Sequence, residues 1–275
     1  MARLSLRWLL PPDVPPGGVM SLGDHLRELR YRLVFSLVVV VVGMAVCAVF
    51  YNQLYDFMLQ PYERAVAMLA VSNPRLDVQA QLPGVTAPLM LILQVIGLGG
   101  LVLTSPVWLY QVWAYLAPAL LAKEKKYALS FLGAAVPLFL AGVAAAYWIL
   151  PQAMVILLGF TPKDQDILNL LNLVEFLTLM MKLMLVFGIG FLMPVIVVAL
   201  NFMGIVSAAA LKKARPYVMF GCAIFGAAAT PGGDPFSMLA LAIPMMMLFF
   251  LAELIARAND RRRAARTAGS DVVPA

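Results

Sequence analysis

Between Leu33 and Phe50 the chain reads LVFSLVVVVVGMAVCAVF, with no charged residue. A run of this kind leaves few folds open. Roughly 20 mostly apolar residues let a helix cross about 30 Å of hydrocarbon, and a helix that is apolar all round has no face to offer water. Five further segments meet the same requirement, at about Leu89–Trp113, Ala128–Leu150, Phe176–Phe202, Tyr217–Ala229 and Ser237–Ala256. They are continuously apolar rather than alternating, which excludes a closed β-barrel and favours helices whose backbone groups are satisfied internally. With 63% hydrophobic and 12% charged residues and a mean hydropathy of +0.91, too little polar surface remains to cover a soluble globule. The expected fold class is an all-α integral membrane protein with six transmembrane helices in one bundle. Tyr217–Ala229 would rise only about 20 Å, so the fifth span is short and the sixth could be short as well.

Orientation follows from the basic residues. Arg3, Arg7, Arg27, Arg30 and Arg32, then Lys123, Lys125 and Lys126, then Lys212, Lys213 and Arg215, then Arg257, Arg261, Arg262, Arg263 and Arg266 fall on one side. The opposite loops hold only Arg64, Arg75 and Lys163. Both termini are therefore expected in the cytoplasm. The net charge of +6 reads as a topology signal and a contact for anionic membrane lipid, with nothing that points to nucleic acid. Residues 1–20, with PPDVPPGG, are expected to be a disordered cytoplasmic arm, 21–258 the membrane domain, and 259–275 a basic tail too unpatterned to pack. Cys47 and Cys222 lie within spans without CxxC spacing, as buried reduced thiols.

On the outer side, Tyr51 to Thr86 places Leu54, Phe57, Met58 and Tyr62 at helical spacing and should pack as a cap. In TPKDQDILNLLNLVEF, Thr161, Asp164 and Asp166 suit a helix start, with Ile167, Leu170, Leu171 and Val174 on one face. TPGGDPFS is a tight turn. His25 is the only histidine, and no hydrolase, P-loop or metal-ligand motif is present, so neither an enzyme nor a cofactor is indicated. An ionisable residue inside a span costs roughly 2.5 to 3.5 kcal/mol on insertion scales and marks a pathway by default. Lys182 and the flanking Glu175 qualify, two turns apart on nearly one face. Lys182 either snorkels outward to a carboxylate or lines a polar cavity. A solute carrier would show interrupted helices in matched halves with polar groups at the midplane, and this chain shows neither.

The informative polar groups sit instead at the cytoplasmic edge. Glu28 lies in HLRELRYRL, where Ser21 and Asp24 frame a capping box and Glu28 can pair with Arg32 at i,i+4. Glu124 stands alone among lysines in APALLAKEKKYAL. Taken singly, each reads as a solvated carboxylate at a helix end.

Five stretches carry a resemblance to a known family: HLRELRYRL, SPVWLYQVWAYLAPALLAKEKKYAL, KLMLVFGIGFLMPV, LKKARPYV and ATPGGDPFSMLALAIPMMMLFFLAELIAR. In this order they resemble the TatC family, the polytopic subunit of the twin-arginine protein translocase, over most of Ser21 to Arg257. The resemblance implies a bacterial plasma (inner) membrane protein that binds RR signal peptides of folded precursor proteins. It would then assemble with the single-span TatA and TatB proteins and other TatC copies, using the proton motive force. Glu28 and Glu124 match the two acids to which the family's recognition of the arginine pair is ascribed. Tyr115 stands where the family often has phenylalanine, with Trp113 and Tyr110 nearby. Arg30 and Arg32 would orient Glu28 or keep it ionised. A guanidinium fork pairs bidentately with a carboxylate and a lysine does not. Two such contacts supply about 3 to 6 kcal/mol, short of the roughly 8 needed for micromolar binding, so the peptide's apolar region must contribute.

Two positions depart from the family. Leu192 in GFLMP replaces a membrane-buried glutamate, and Met238 in DPFSM replaces a glutamine linked to contact with TatA or TatB. Lys182 and Glu175 are candidates to present charge in their place. Asp234 matches the family's acid in the last outer turn, where capping the GGDPF turn explains it equally well.

Overall fold

A computed structural model describes residues 22–72, 77–116, 125–161, 168–229 and 235–270. Among these, the helices are α1 (Leu22–Val49), α2 (Tyr51–Ser72), α3 (Ala87–Leu103), α4 (Ser105–Leu116), α5 (Lys125–Leu158), α6 (Leu173–Phe191), α7 (Met193–Phe202), α8 (Ala208–Ala229) and α9 (Pro235–Ser270). Two short strands, β1 (Asp77–Gln81) and β2 (Leu168–Asn172), complete the described secondary structure. Four helical segments are long and apolar enough to cross a membrane, Gly23–Val49, Phe131–Leu158, Leu173–Phe202 and Met238–Ala265; α3 and α4, bent by 60° at their junction, make five if they form one span. Contacts divide the chain into two units: Met1–Met58 with Pro88–Val136, and Leu59–Ala87 with Pro137–Ala275.

In the first unit, α1 keeps most of its apolar surface exposed, from Leu33 through Val38 and Val42 to Val49, as expected of a helix solvated by lipid. It approaches α3 closely at Gly43, where an added Cβ would lie 2.5 Å from the Thr104 methyl and 3.0 Å from the Gly100 carbonyl oxygen. Small residues permit this contact between helices that have no hydrophobic drive to associate in lipid. The bend falls at Thr104 because Pro106, one residue into α4, has no N–H to continue the ladder. Two groups occupy carbonyls there: the Thr104 hydroxyl donates to Gly100 O at 2.8 Å and the Trp108 indole to Leu101 O at 2.9 Å.

The second unit has a core of Phe139, Leu150, Leu177, Met180, Phe187, Leu241 and Phe249, each at most 1% exposed apart from Leu177 at 2%. α6 supplies Phe176, Leu177, Met180, Leu183, Met184 and Phe187 to it, spacings of three and four that put them on one side. α5 meets α6 at Gly142, where a Cβ would lie 2.5 Å from the Phe187 carbonyl oxygen and 2.9 Å from Gly188 Cα. Because those atoms are backbone, Gly142→Ala is expected to destabilise the protein by about 1–3 kcal/mol. Thermal unfolding in detergent measures this, and an unchanged midpoint would count against the close approach.

β1 and β2 pair in parallel, Asp77 opposite Leu168 through Gln81 opposite Asn172. This corrects the expectation of a helix through Leu170 and Leu171. The asparagines of LNLLN favour local turns over a helix interior, and Asn172 instead caps α6, its side-chain oxygen accepting from Val174 N at 3.0 Å. Thr161 precedes this strand; Asp164, Asp166 and Ile167 lie outside the described residues. α2 does form a helix over the expected positions, with Met58 buried.

α6 and α7 meet at Leu192, with Pro194 in the first turn of α7. α8 and α9 form an antiparallel hairpin. A Cβ at Gly226 would lie 2.9 Å from the Met238 carbonyl oxygen, and at the other end Ala208 N donates to Asp260 Oδ2 at 2.7 Å. α9 runs on to Ser270, past the boundary at residue 259 where an unpatterned tail was expected. The extension is held by polar contacts that hydrophobic periodicity does not register.

Candidate functional site

The best-defined polar site lies where the first half of α1 packs on α4. Leu22, Leu26, Leu29 and Leu33 repeat at helical spacing and Asp24 sits in the first turn, favourable to the helix dipole. On this helix Glu28 is 4% exposed. Its Oε1 accepts from Arg32 Nη2 at 2.6 Å and Arg32 Nε at 2.9 Å. The third contact of the guanidinium crosses to α4, where Arg32 Nη1 donates to Gln111 Oε1 at 2.9 Å. The other carboxylate oxygen, Oε2, is buried without a hydrogen-bond partner among the described residues. A carboxylate taken from water is tolerated only when its lone pairs are satisfied. Glu28 therefore holds a strong acceptor half used, beside a cation fixed by a second helix.

Aromatic contacts flank the site. The Tyr115 ring stacks on His25 with centroids 4.5 Å apart, joining the start of α1 to the end of α4. Trp113 stacks on Phe131 at 3.6 Å, joining α4 to α5 on either side of residues 117–124. Glu124 belongs to that intervening segment and lies outside the described residues, as do Ser21 and Asp234. Arg30 is exposed, and Arg27 lies 4.0 Å from Asp24. Of the residues singled out from the sequence, the fold thus joins Glu28 to Arg32 and adds Gln111, while Tyr115 links the same two helices through His25. The lone polar residue of LYQVWAY was the signal for Gln111.

The other candidates are scattered. Glu175 and Lys182 are exposed on α6, and no ion pair joins them among the described residues. Leu192 is half-buried at the α6–α7 junction, with helical φ/ψ and its N–H donating to Ile189 O at 3.0 Å. Met238 is half-buried against Gly226 within the α8–α9 hairpin.

Two polar clusters in the second unit escaped the sequence reading. Glu253 is 1% exposed. Its Oε2 accepts from Arg215 Nε at 2.7 Å and its Oε1 from Arg215 Nη2 at 3.0 Å, a bidentate fork, while Arg257 Nη2 also donates to Oε1. An acid isolated in LFFLAELIAR, four residues before an arginine, was the available signal. Nearby, Asn201 donates to Asp260 Oδ1 at 2.9 Å and to Val206 O at 2.9 Å and accepts from Asn259 at 2.9 Å, and Arg263 donates to Phe202 O. The end of α7 and the start of α8 are thereby tied to α9.

A family model described as Sec-independent protein translocase protein (TatC) matches residues 24–244. The chain belongs to the TatC family. A TatC of Xylanimonas cellulosilytica is 36% identical over 249 residues, covering 90% of this chain and 88% of the relative. The TatC of Escherichia coli K12 is 34% identical over 234 residues, covering 85% and 86%. A crystal structure titled twin arginine translocase receptor TatC superposes with a TM-score of 0.67 at 28% identity, covering 85% of this chain and 98% of that one. Apolar helices and TatC membership make this a multi-pass membrane protein and a subunit of the twin-arginine protein translocase.

Proposed function

We propose that this TatC-family chain is the receptor subunit that binds RR signal peptides of folded precursors at the cytoplasmic face of a bacterial inner membrane. It then assembles with TatA, TatB and further copies of itself for transport driven by the proton motive force. The observation that carries the reading is the unpartnered Oε2 of Glu28. A guanidinium arriving from the signal peptide can donate to that oxygen while Arg32 stays anchored on Oε1 and Gln111. The charge of Arg32 would oppose a cation held by Glu28 alone, so a second carboxylate is required, and Glu124 fills that role. The stacked Tyr115 and Trp113 hold the end of α4, which precedes Glu124 in the chain.

Six spans with both termini inside fit the connections. β1 and β2 pair side by side, so they lie on one side of the membrane and the chain between them crosses an even number of times. α5 crosses once, so α3 and α4 together make one crossing. α8 runs antiparallel along α9 and crosses with it, short as it is. Met238 lies near the outer end of that hairpin, and the exposed face of α6 with Glu175 and Lys182, ending at Leu192, is open to a single-span partner; Asp234 is a further candidate contact.

The test is site-specific photocrosslinking from position 115 to a precursor carrying RR or KK. Crosslinks formed with RR and reduced at least about tenfold with KK are expected, since lysine lacks the planar fork. Equal crosslinking of both peptides would remove the proposed role of the site.

A further inference from the structure

We propose that the α8–α9 hairpin carries a binding site for an anionic phospholipid, with the headgroup phosphate held by Arg215 and Arg257. The inference goes beyond signal-peptide recognition and rests only on α8 and α9 lying in the membrane. Along α9, Met247, Phe250, Leu254, Arg257 and Arg261 recur at intervals of three and four residues and so share one face. Met247 and Leu254 are 66% and 64% exposed. The face changes from apolar to basic within one turn, as the acyl-to-phosphate boundary of a lipid does. α8 repeats the pattern in the opposite chain direction, with exposed Met219 followed by Arg215 and exposed Lys212 on one face. Arg215 joins the two faces, since its guanidinium lies 5.5 Å from the Phe250 ring centroid.

The two guanidiniums are held in place and remain open. Both are tied to Glu253, which is spent on them, yet their side chains are 36% and 38% exposed. The neighbouring acid, Asp260, is engaged by Asn201 and Ala208 N. The cluster is therefore net cationic, with further N–H donors beyond those given to Glu253. A phosphodiester suits a pre-positioned guanidinium pair, and basic pockets between cytoplasmic ends of membrane helices suit lipid headgroups. The apolar half of the same face selects a lipid over a soluble phosphate.

The purified full chain is examined by native mass spectrometry from micelles containing phosphatidylglycerol and phosphatidylcholine. Wild type should retain phosphatidylglycerol selectively. Lys212→Gln with Arg261→Gln, two exposed residues on the face, should lower that retention roughly tenfold or more. Lys213→Gln with Arg262→Gln, which removes the same charge beside the face, should leave it unchanged. Arg215→Lys with Arg257→Lys should lower it while keeping the net charge. Equal loss from both charge-matched pairs, loss from neither, or displacement of the lipid by millimolar inorganic phosphate would overturn the site.

Discussion

Glu28→Gln is expected to abolish export of twin-arginine precursors and to weaken signal-peptide binding about ten- to hundred-fold, with the protein still inserted and folded. The amide has the same shape and its oxygen can keep one contact with Arg32. What it loses is charge, and it turns a free acceptor into an N–H donor aimed at the incoming guanidinium. A charge-assisted contact nets roughly 1.5–3 kcal/mol, which sets the size of the effect. Glu124→Gln should give the same phenotype, and the double variant should be little worse than either, because both carboxylates serve one arginine pair. Glu28→Asp keeps the charge but draws it back by a methylene, and intermediate export is expected. The assay is export of an RR reporter, scored with membrane abundance and thermal unfolding of each variant. Wild-type export from both glutamines would remove the receptor role. Loss of export only in proportion to loss of folded protein would make Glu28 a structural partner of Arg32.

Membrane class and most span positions were legible because hydrocarbon allows few alternatives: an apolar run of sufficient length has to be a helix. The Glu28–Arg32 contact was legible for a similar reason, since i,i+4 spacing puts the two side chains together on any helix. Gln111 was not, because its partner lies 79 positions away and only the packing of α4 on α1 brings it there. The strand at Leu168–Asn172 was missed because pairing with β1 outweighed an apolar spacing that fits a helix. The continuation of α9 was missed because Asp260 and Arg263 act through hydrogen bonds to the start of α8 and the end of α7, and a charged segment shows no apolar stripe whether it packs or not. Glu253 was hidden by its surroundings: from the sequence alone its partner Arg215 reads as a topology signal.

Glu253 gives the second large effect. It is buried on α9 and carries the ionic contacts of Arg215 and Arg257, so Glu253→Gln leaves both guanidiniums without their counter-charge. Breaking a buried pair costs roughly 3–5 kcal/mol. The low end applies here because both arginines can turn toward water. Thermal unfolding in detergent should show the loss, and an unchanged midpoint would mean that the carboxylate does not hold the hairpin. Replacing Glu253 and Arg215 together by leucine should recover most of the stability, since apolar packing substitutes for a desolvated pair with little net cost. That double variant separates two consequences of one cluster. It should fold almost as well as wild type and still retain less phosphatidylglycerol, because the guanidinium beside Phe250 is gone and Arg257 has lost its anchor. If stability and lipid retention instead recover together, the arginines serve the fold and the lipid is held elsewhere.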